Sequence, residues 1–255
     1  MKQEDDTFRF YVRNSCLTVG TTLRGTDASA SDPYSGFSLC HYTGDDKKHF
    51  RNCLKKLCQT LGADEGHVVV PRQTHSANVL VLTEESLSHI EPEDKDAIVT
   101  NVPGIVTGIN TADCVPVVIY DAETMVTGVA HAGWRGALGG VIGNTVKAMA
   151  MLGAIPGRCK AIIAPSICSE CFEVGEEVAV LFPEAFVHRE RGCKPHVDLK
   201  GFVTSRLVGE GLAENSIYTD PDCTLCRPDK FFSARALGIS SGRNFTFAVM
   251  NNHLE

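Results

Sequence analysis

Apolar side chains recur along the chain with two different periods. Between Asp45 and Leu61 the positions Phe50, Leu54, Leu57, Cys58 and Leu61 return every three or four residues. That spacing predicts an amphipathic helix with Asp45 or Asp46 as its N-cap and Gly62 just past its end. Val141, Thr145, Ala148 and Leu152 share a face in the same way and predict a helix over 141–152, and Gly175–Leu181 and Gly201–Glu210 read as two more. Runs rich in Val, Ile and Phe, bounded by Gly, Pro, Asn or Asp, predict strands at Val68–Pro71, Val79–Leu82, Ala97–Val99, Ile105–Ile109, Val115–Tyr120, Val126–Ala130, Cys159–Ala164 and Phe245–Met250.

Strand and helix alternate irregularly, not in strict strand–helix–strand order. The pattern therefore favours an α/β fold with a mixed, layered β-sheet covered by helices over a doubly wound sheet. The 255 residues suffice for a single domain, 1–255, with a substantial core. The polar stretch 21–36, TTLRGTDASASDPYSG, reads as a long loop.

Charge narrows the partners. A formal net charge of −7 and a pI near 5.7 argue against a surface that neutralises a nucleic-acid backbone. A small anion would instead need a local cradle of Arg and backbone N–H groups. The opening MKQEDDTFRFYVRN carries acids where a secretory signal carries bases, and no apolar run approaches the roughly 18 residues that cross a bilayer. The expectation is a cytoplasmic protein away from the membrane. Most of its eleven cysteines, an odd number in a large chain, are then expected to be reduced thiols. The closing Leu254-Glu255 reads as an expression-vector remnant without structural weight.

Three segments place a metal-binding side chain at the edge of a predicted core strand: Gln73-Thr74-His75, Ala112-Asp113-Cys114 and Ala130-His131. Two imidazoles and one thiolate leave a fourth tetrahedral position open, the mark of catalytic zinc. Spacing alone leaves room for a plainer alternative, in which His75 and His131 are strand-end histidines and Cys114 is a small buried hydrophobe.

The turn His131-Ala-Gly-Trp-Arg-Gly136 comes between a strand and a helix. Its glycines permit close approach, the following helix offers free N–H groups, and Arg135 offers a fork for phosphate. Trp134 is a candidate to stack on a purine and equally a packing residue. Arg72, Gln73 and Arg24 are further candidates for binding substrate or phosphate, with a solvated surface charge as the alternative for each arginine. Asp113 is a candidate acid or base beside Cys114, or a turn cap. Two Cys-x-x-Cys pairs, Cys168/Cys171 and Cys223/Cys226, are separated by 51 residues. Zinc ribbons use about 15 to 20, so the expectation is free thiols and no second metal.

The phrases PRQTHSANV, DAIVTNVPGIVTGINTADCVPVVIYD, GVAHAGWRG, APSICSECFEVGEEV, CTLCRPDKFFSAR and SGRNFTFAVM resemble the laccase-domain family across nearly the whole chain. Members of that family have carried the label of multicopper polyphenol oxidoreductases and are now read as purine nucleoside phosphorylases. The resemblance implies zinc held by His75, Cys114 and His131. It also implies phosphorolysis of adenosine, inosine and methylthioadenosine to free base and ribose 1-phosphate, with adenosine deamination as a companion activity. The chain departs from the family pattern at Ala236, after Arg235, where a second arginine is usual, and at Ser38, where Asn is common.

Other chemistries remain in view. Cys114 with His75 or His131 would also suit a cysteine hydrolase or amidase. Copper in a polyphenol oxidase is the older alternative, although paired H-x-H clusters are missing. A metal-binding protein without turnover would keep the same residues. The H-x-E and P-C-x-x-C segments of the familiar zinc deaminases are absent as well.

Overall fold

Alternation along single strands sets the layers. In β14 (Asn244–Met250) the side chains of Phe245, Phe247 and Val249 join one apolar cluster while Ala248 and Met250 join another. The computed structural model describes residues 3–26, 28–29, 32–40 and 42–251, so Leu254-Glu255 lie outside the described residues. Within them, β14 sits in a six-stranded sheet of order β1 (Gln3–Glu4), β2 (Phe8–Arg13), β3 (Leu17–Thr22), β14, β7 (Val106–Thr111), β4 (Val68–Val69).

The second sheet is also six-stranded. Its order is β13 (Ile217–Thr219), β10 (Lys160–Ile163), β8 (Val115–Asp121), β9 (Val126–Ala132), β6 (Ala97–Thr100), β5 (Val79–Leu82). A small ribbon pairs β11 (Val187–His188) with β12 (His196–Val197). Parallel pairs (β4 with β7, β5 with β6, β10 with β13) occur among antiparallel ones, so the sheets are mixed as the irregular pattern predicts.

Both sheets bury both faces. Leu17, Val19, Ile109, Val118, Val129 and Ala248 pack between them. Outside the first sheet lies α1 (Lys47–Leu61), whose Cys53 and Leu57 meet Phe8, Phe10, Phe245 and Phe247. Outside the second lie α3 (Val141–Met151) and α5 (Leu199–Gly209), against the other face of β8 and β9. The order of layers is helix, sheet, sheet, helix. Short helices α2 (Trp134–Leu138), α4 (Glu176–Ala179) and α6 (Ala234–Leu237) complete the pattern. Among the described residues, no helix is long and apolar enough to cross a membrane.

Local chemistry accounts for the boundaries. Asp46 caps α1 by accepting from the Lys48 amide at 3.1 Å, and Gly62 closes it at φ 65°. Asp45, the alternative cap, instead accepts from His49 Nδ1 at 2.8 Å. β4 ends two residues short of Pro71, which has no N–H to give a ladder. α4 is shorter than the predicted Gly175–Leu181, and β9 runs on to Ala132, so His131 lies inside the strand and not after it. Of the predicted loop 21–36, Thr21 and Thr22 belong to β3, and 23–36 has neither helix nor strand among its described residues.

Gly108 in β7 is where the Phe245 ring of β14 crosses the neighbouring backbone: a Cβ there would run into that ring and come within 2.9 Å of the Thr246 carbonyl. Gly108→Ala is expected to destabilise the fold by about 1–3 kcal/mol through overpacking. Urea unfolding measures this, and an unchanged midpoint would show that the ring relocates freely.

Candidate metal centre

The β8–β9 ladder opposes Val115 to Ala132 and Pro116 to His131. Cys114, one residue before β8, therefore comes level with Gly133, one residue after β9. His75 reaches the same place from the loop before β5. The ligating atoms of His75, Cys114 and His131 all lie within 4.8 Å of one another. Cys114 Sγ is 3.8 Å from His75 Nε2, and the two imidazoles meet edge to face at 4.8 Å between centroids. A Cβ on Gly133 would sit 2.7 Å from His75 Cδ2 and 3.1 Å from Cys114 Sγ, so only glycine leaves the central space clear. His131 is buried, Cys114 half-buried and His75 exposed, which opens the centre on the His75 side.

One residue that the sequence reading passed over organises this cluster. Asp96, fully buried at the head of β6, accepts hydrogen bonds from the amides of Thr74, His75 and Ser76 at 3.0, 3.0 and 2.7 Å. It also accepts from the Ser76 hydroxyl at 2.8 Å and from His131 Nδ1 at 2.6 Å. The first four bonds wrap the His75 loop around the carboxylate and hold His75 at φ 65°, a backbone state unusual for a residue with a side chain. The fifth commits Nδ1 of His131, so its Nε2 is the nitrogen turned to the cluster. An acid directly ahead of the four buried residues Ala97–Thr100 was the available signal.

Charge follows from this geometry. Burial works to raise the Asp96 carboxyl, but the hydrogen bond and charge of His131, with the Thr74 amide and Ser76 hydroxyl, outweigh it and hold the pKa at about 2. Burial likewise opposes ionisation of Cys114, yet the His131 charge and the hydrogen bonds of both histidines bring it down to about 6. For His131, burial favours the neutral ring, and the Cys114 thiolate and Asp96 carboxylate raise it to about 9. Without a metal, Cys114 and His131 form a thiolate–imidazolium pair at neutral pH.

The other predicted residues fall in different surroundings. Asp113, at φ 86°, accepts from Thr224 Oγ1 at 2.7 Å and from the Arg235 amide at 2.8 Å, and its carbonyl accepts from the Ile167 amide at 3.0 Å. Those bonds make it a brace for the Cys114 turn. Gln73 exchanges hydrogen bonds with the Asn110 backbone, its Nε2 donating and its Oε1 accepting at 2.8 Å each, which splints its loop to β7. Arg24 is buried, and its guanidinium donates to the carbonyls of Ser29, Asp32, Ser35 and Pro228, pinning the early loop. Arg72 is exposed and paired with Glu93 at 2.9 Å.

Arg135 is exposed, has no ion pair among the described residues, and lies 4.1 Å over the Trp134 ring. That guanidinium covers one face of Trp134, which also packs against the core. Of the departures from the family pattern, Ser38 is buried and accepts from the Arg243 amide at 3.0 Å. Counter to the expectation from spacing, Cys168, Cys171, Cys223 and Cys226 also converge, with sulfurs all within 4.8 Å of one another.

A family model described as multi-copper polyphenol oxidoreductase laccase matches residues 18–251. The chain belongs to this laccase family. Within it, an adenosine deaminase, RL5, from an unknown prokaryotic organism is 41% identical over 239 residues, covering 89% of this chain and 91% of that protein. A purine nucleoside phosphorylase of Bacteroides thetaiotaomicron is 33% identical over 224 residues, covering 82% and 83%. The crystal structure of a Bacillus licheniformis hypothetical protein, YfiH, shares the fold with a TM-score of 0.89 at 24% identity, covering 98% and 99%. The donor set of this family member, two nitrogens and one sulfur around a clear space, fits a divalent ion with one open position.

Asp96→Asn keeps the size of the side chain but removes the charge that orients His131. We expect metal affinity to fall about 10- to 100-fold in a chelator competition titration. In metal-stripped protein, Cys114 should be alkylated by iodoacetamide at a rate that climbs through pH 6 and then levels off, because a lowered pKa puts the thiolate above that pH. Peptide mapping reads this rate, and a rise centred near the ordinary thiol range would contradict the ion pair.

Proposed function

We propose that this protein is a zinc-dependent purine nucleoside phosphorylase. It would act in the cytoplasm on adenosine, inosine and methylthioadenosine, with phosphate, to release the free base and ribose 1-phosphate. The observation that carries the reading is the three-ligand cluster of His75, Cys114 and His131, open on one side and kept clear by Gly133, in a chain whose relatives include a protein named purine nucleoside phosphorylase. Zinc suits two imidazoles and a thiolate, whereas a multicopper centre would call for further histidines. The eleven cysteines, all free, suit a reducing compartment.

Phosphorolysis breaks the bond from C1′ to the purine nitrogen, gives its electron pair to the base, and forms a new bond from C1′ to a phosphate oxygen. Bound zinc would supply Lewis-acid polarisation of an oxygen of phosphate or ribose. The chain contributes the rest. Arg135, exposed on the Trp134 ring and without an ion pair among the described residues, is the proposed anchor for phosphate charge. Asp96 fixes the His131 ring, and Asp113 fixes the turn that presents Cys114. Preorganisation of this kind lowers the cost of aligning two reactants.

A second reading, adenosine deamination, is favoured by the 41% identical relative named adenosine deaminase. One assay separates the two. Adenosine converted to adenine and ribose 1-phosphate only when phosphate is present marks the phosphorylase, whereas inosine and ammonia formed without phosphate mark the deaminase. A covalent adduct on Cys114 would point to a cysteine hydrolase, and no turnover of any of these nucleosides would overturn the proposal. Arg135→Ala is expected to raise the KM for phosphate about tenfold or more, in line with loss of a charge-assisted contact.

A further inference from the structure

The four cysteines lie beyond β10 and β13, at the same end of the second sheet as the Cys114 turn, and are brought together by strand pairing. β10 and β13 run parallel with Ile163 beside Thr219, and beyond them a parallel bridge, shifted by one residue from that register, joins Ser166 to Cys223. The two Cys-x-x-Cys turns therefore emerge side by side from neighbouring strands, and the 51 residues between them comprise the crossover through α4, β11, β12 and α5 together with β13 itself. Ribbon-type spacing does not apply to such a parallel arrangement.

We propose that Cys168, Cys171, Cys223 and Cys226 form a second, structural zinc site with four thiolate ligands. All four sulfurs lie within 4.8 Å of one another. Cys171 Sγ and Cys226 Sγ are 3.4 Å apart, well beyond a disulfide of about 2.05 Å. With zinc–sulfur bonds of about 2.3 Å, the edge of a tetrahedron is about 3.8 Å.

The turns are built around sulfur as well. The Cys168 amide donates to Cys223 Sγ at 3.3 Å, and the Cys226 amide donates to the same sulfur. Backbone bonds from Cys171 to the Cys168 carbonyl and from Arg227 to the Cys223 carbonyl fold each turn back on itself. Lys200, held by the carbonyls of Asp220 and Asp222, contributes a cation whose charge acts on Cys168 and Cys223, where a bound zinc and four thiolates would carry a net double negative charge. Zinc entry releases the thiol protons and changes no oxidation state. Four protein ligands leave no open position, so the site would hold structure and not perform chemistry.

Its structural target is the Cys114 turn. The Ile167 amide, next to Cys168, binds the Asp113 carbonyl, and the Thr224 hydroxyl, next to Cys223, binds the Asp113 carboxylate. Each cysteine turn thus contributes one hydrogen bond to the residue that precedes Cys114.

Metal analysis of the reduced, zinc-reconstituted full chain tests the site. Two zinc ions per chain are expected, falling to one in Cys226→Ser, to one in Cys114→Ser, and to none in the double variant. If Cys226→Ser does not fold, Cys114→Ser reconstituted with cobalt still decides the matter. It should retain one ion with the intense visible bands and sulfur-to-metal charge transfer of a tetrahedral four-thiolate centre. A single zinc in the wild-type chain that disappears in Cys114→Ser would overturn the proposal. So would a disulfide mapped by peptide analysis between any two of Cys168, Cys171, Cys223 and Cys226 in the zinc-loaded wild-type protein, since a paired sulfur is no thiolate ligand.

Discussion

A buried carboxylate whose one ion pair among the described residues is with an imidazole is the constraint on which this protein is built. Asp96 cannot lie at the head of an inner strand unless its oxygens are satisfied, because an unpaired buried charge costs several kcal/mol. The chain satisfies them by wrapping the backbone of Thr74, His75 and Ser76 around the group and turning the His131 ring to it. Two of the three candidate metal ligands are placed by that single requirement. The third, Cys114, is placed by the strand register, and its thiolate is then stabilised by the imidazolium that Asp96 helps to hold.

The layered arrangement gives this end of the second sheet its rigidity. β8 and β9 are covered on one face by α3 and α5 and on the other by the first sheet, so their ends cannot shift without disturbing two cores. The loops that complete the centre are held by side chains acting in place of backbone: Gln73 on Asn110, Asp113 on Thr224 and Arg235. Several residues that look like ligand-binding groups in the sequence are engaged as such braces. Arg24, with its guanidinium on four carbonyls, is the plainest case.

Much of this was legible beforehand wherever the pattern was local. The helix from Lys47 with its Asp46 cap, the strand Val79–Leu82 and the helix at Val141 follow directly from apolar spacing. The strands Phe8–Arg13 and Leu17–Thr22 were hidden by a buried Arg9, neutralised by Glu4, Asp220 and Asp222, and by a bulge between Phe10 and Val12. Asp96 was hidden because a lone acid at a strand head is usually a turn residue, and its partners are 20 to 35 positions away. The convergence of the four cysteines depends on a parallel pair that no local period reveals.

The ladder between β8 and β9 has one more implication. Side chains on a strand change face with every step, so a hairpin mispaired by a single residue would turn the His131 imidazole away from Cys114. An ion that must grip both side chains can be captured only by the correctly aligned pair. Coordination of an ion by this pair would thereby also proofread the alignment of the strands beneath it.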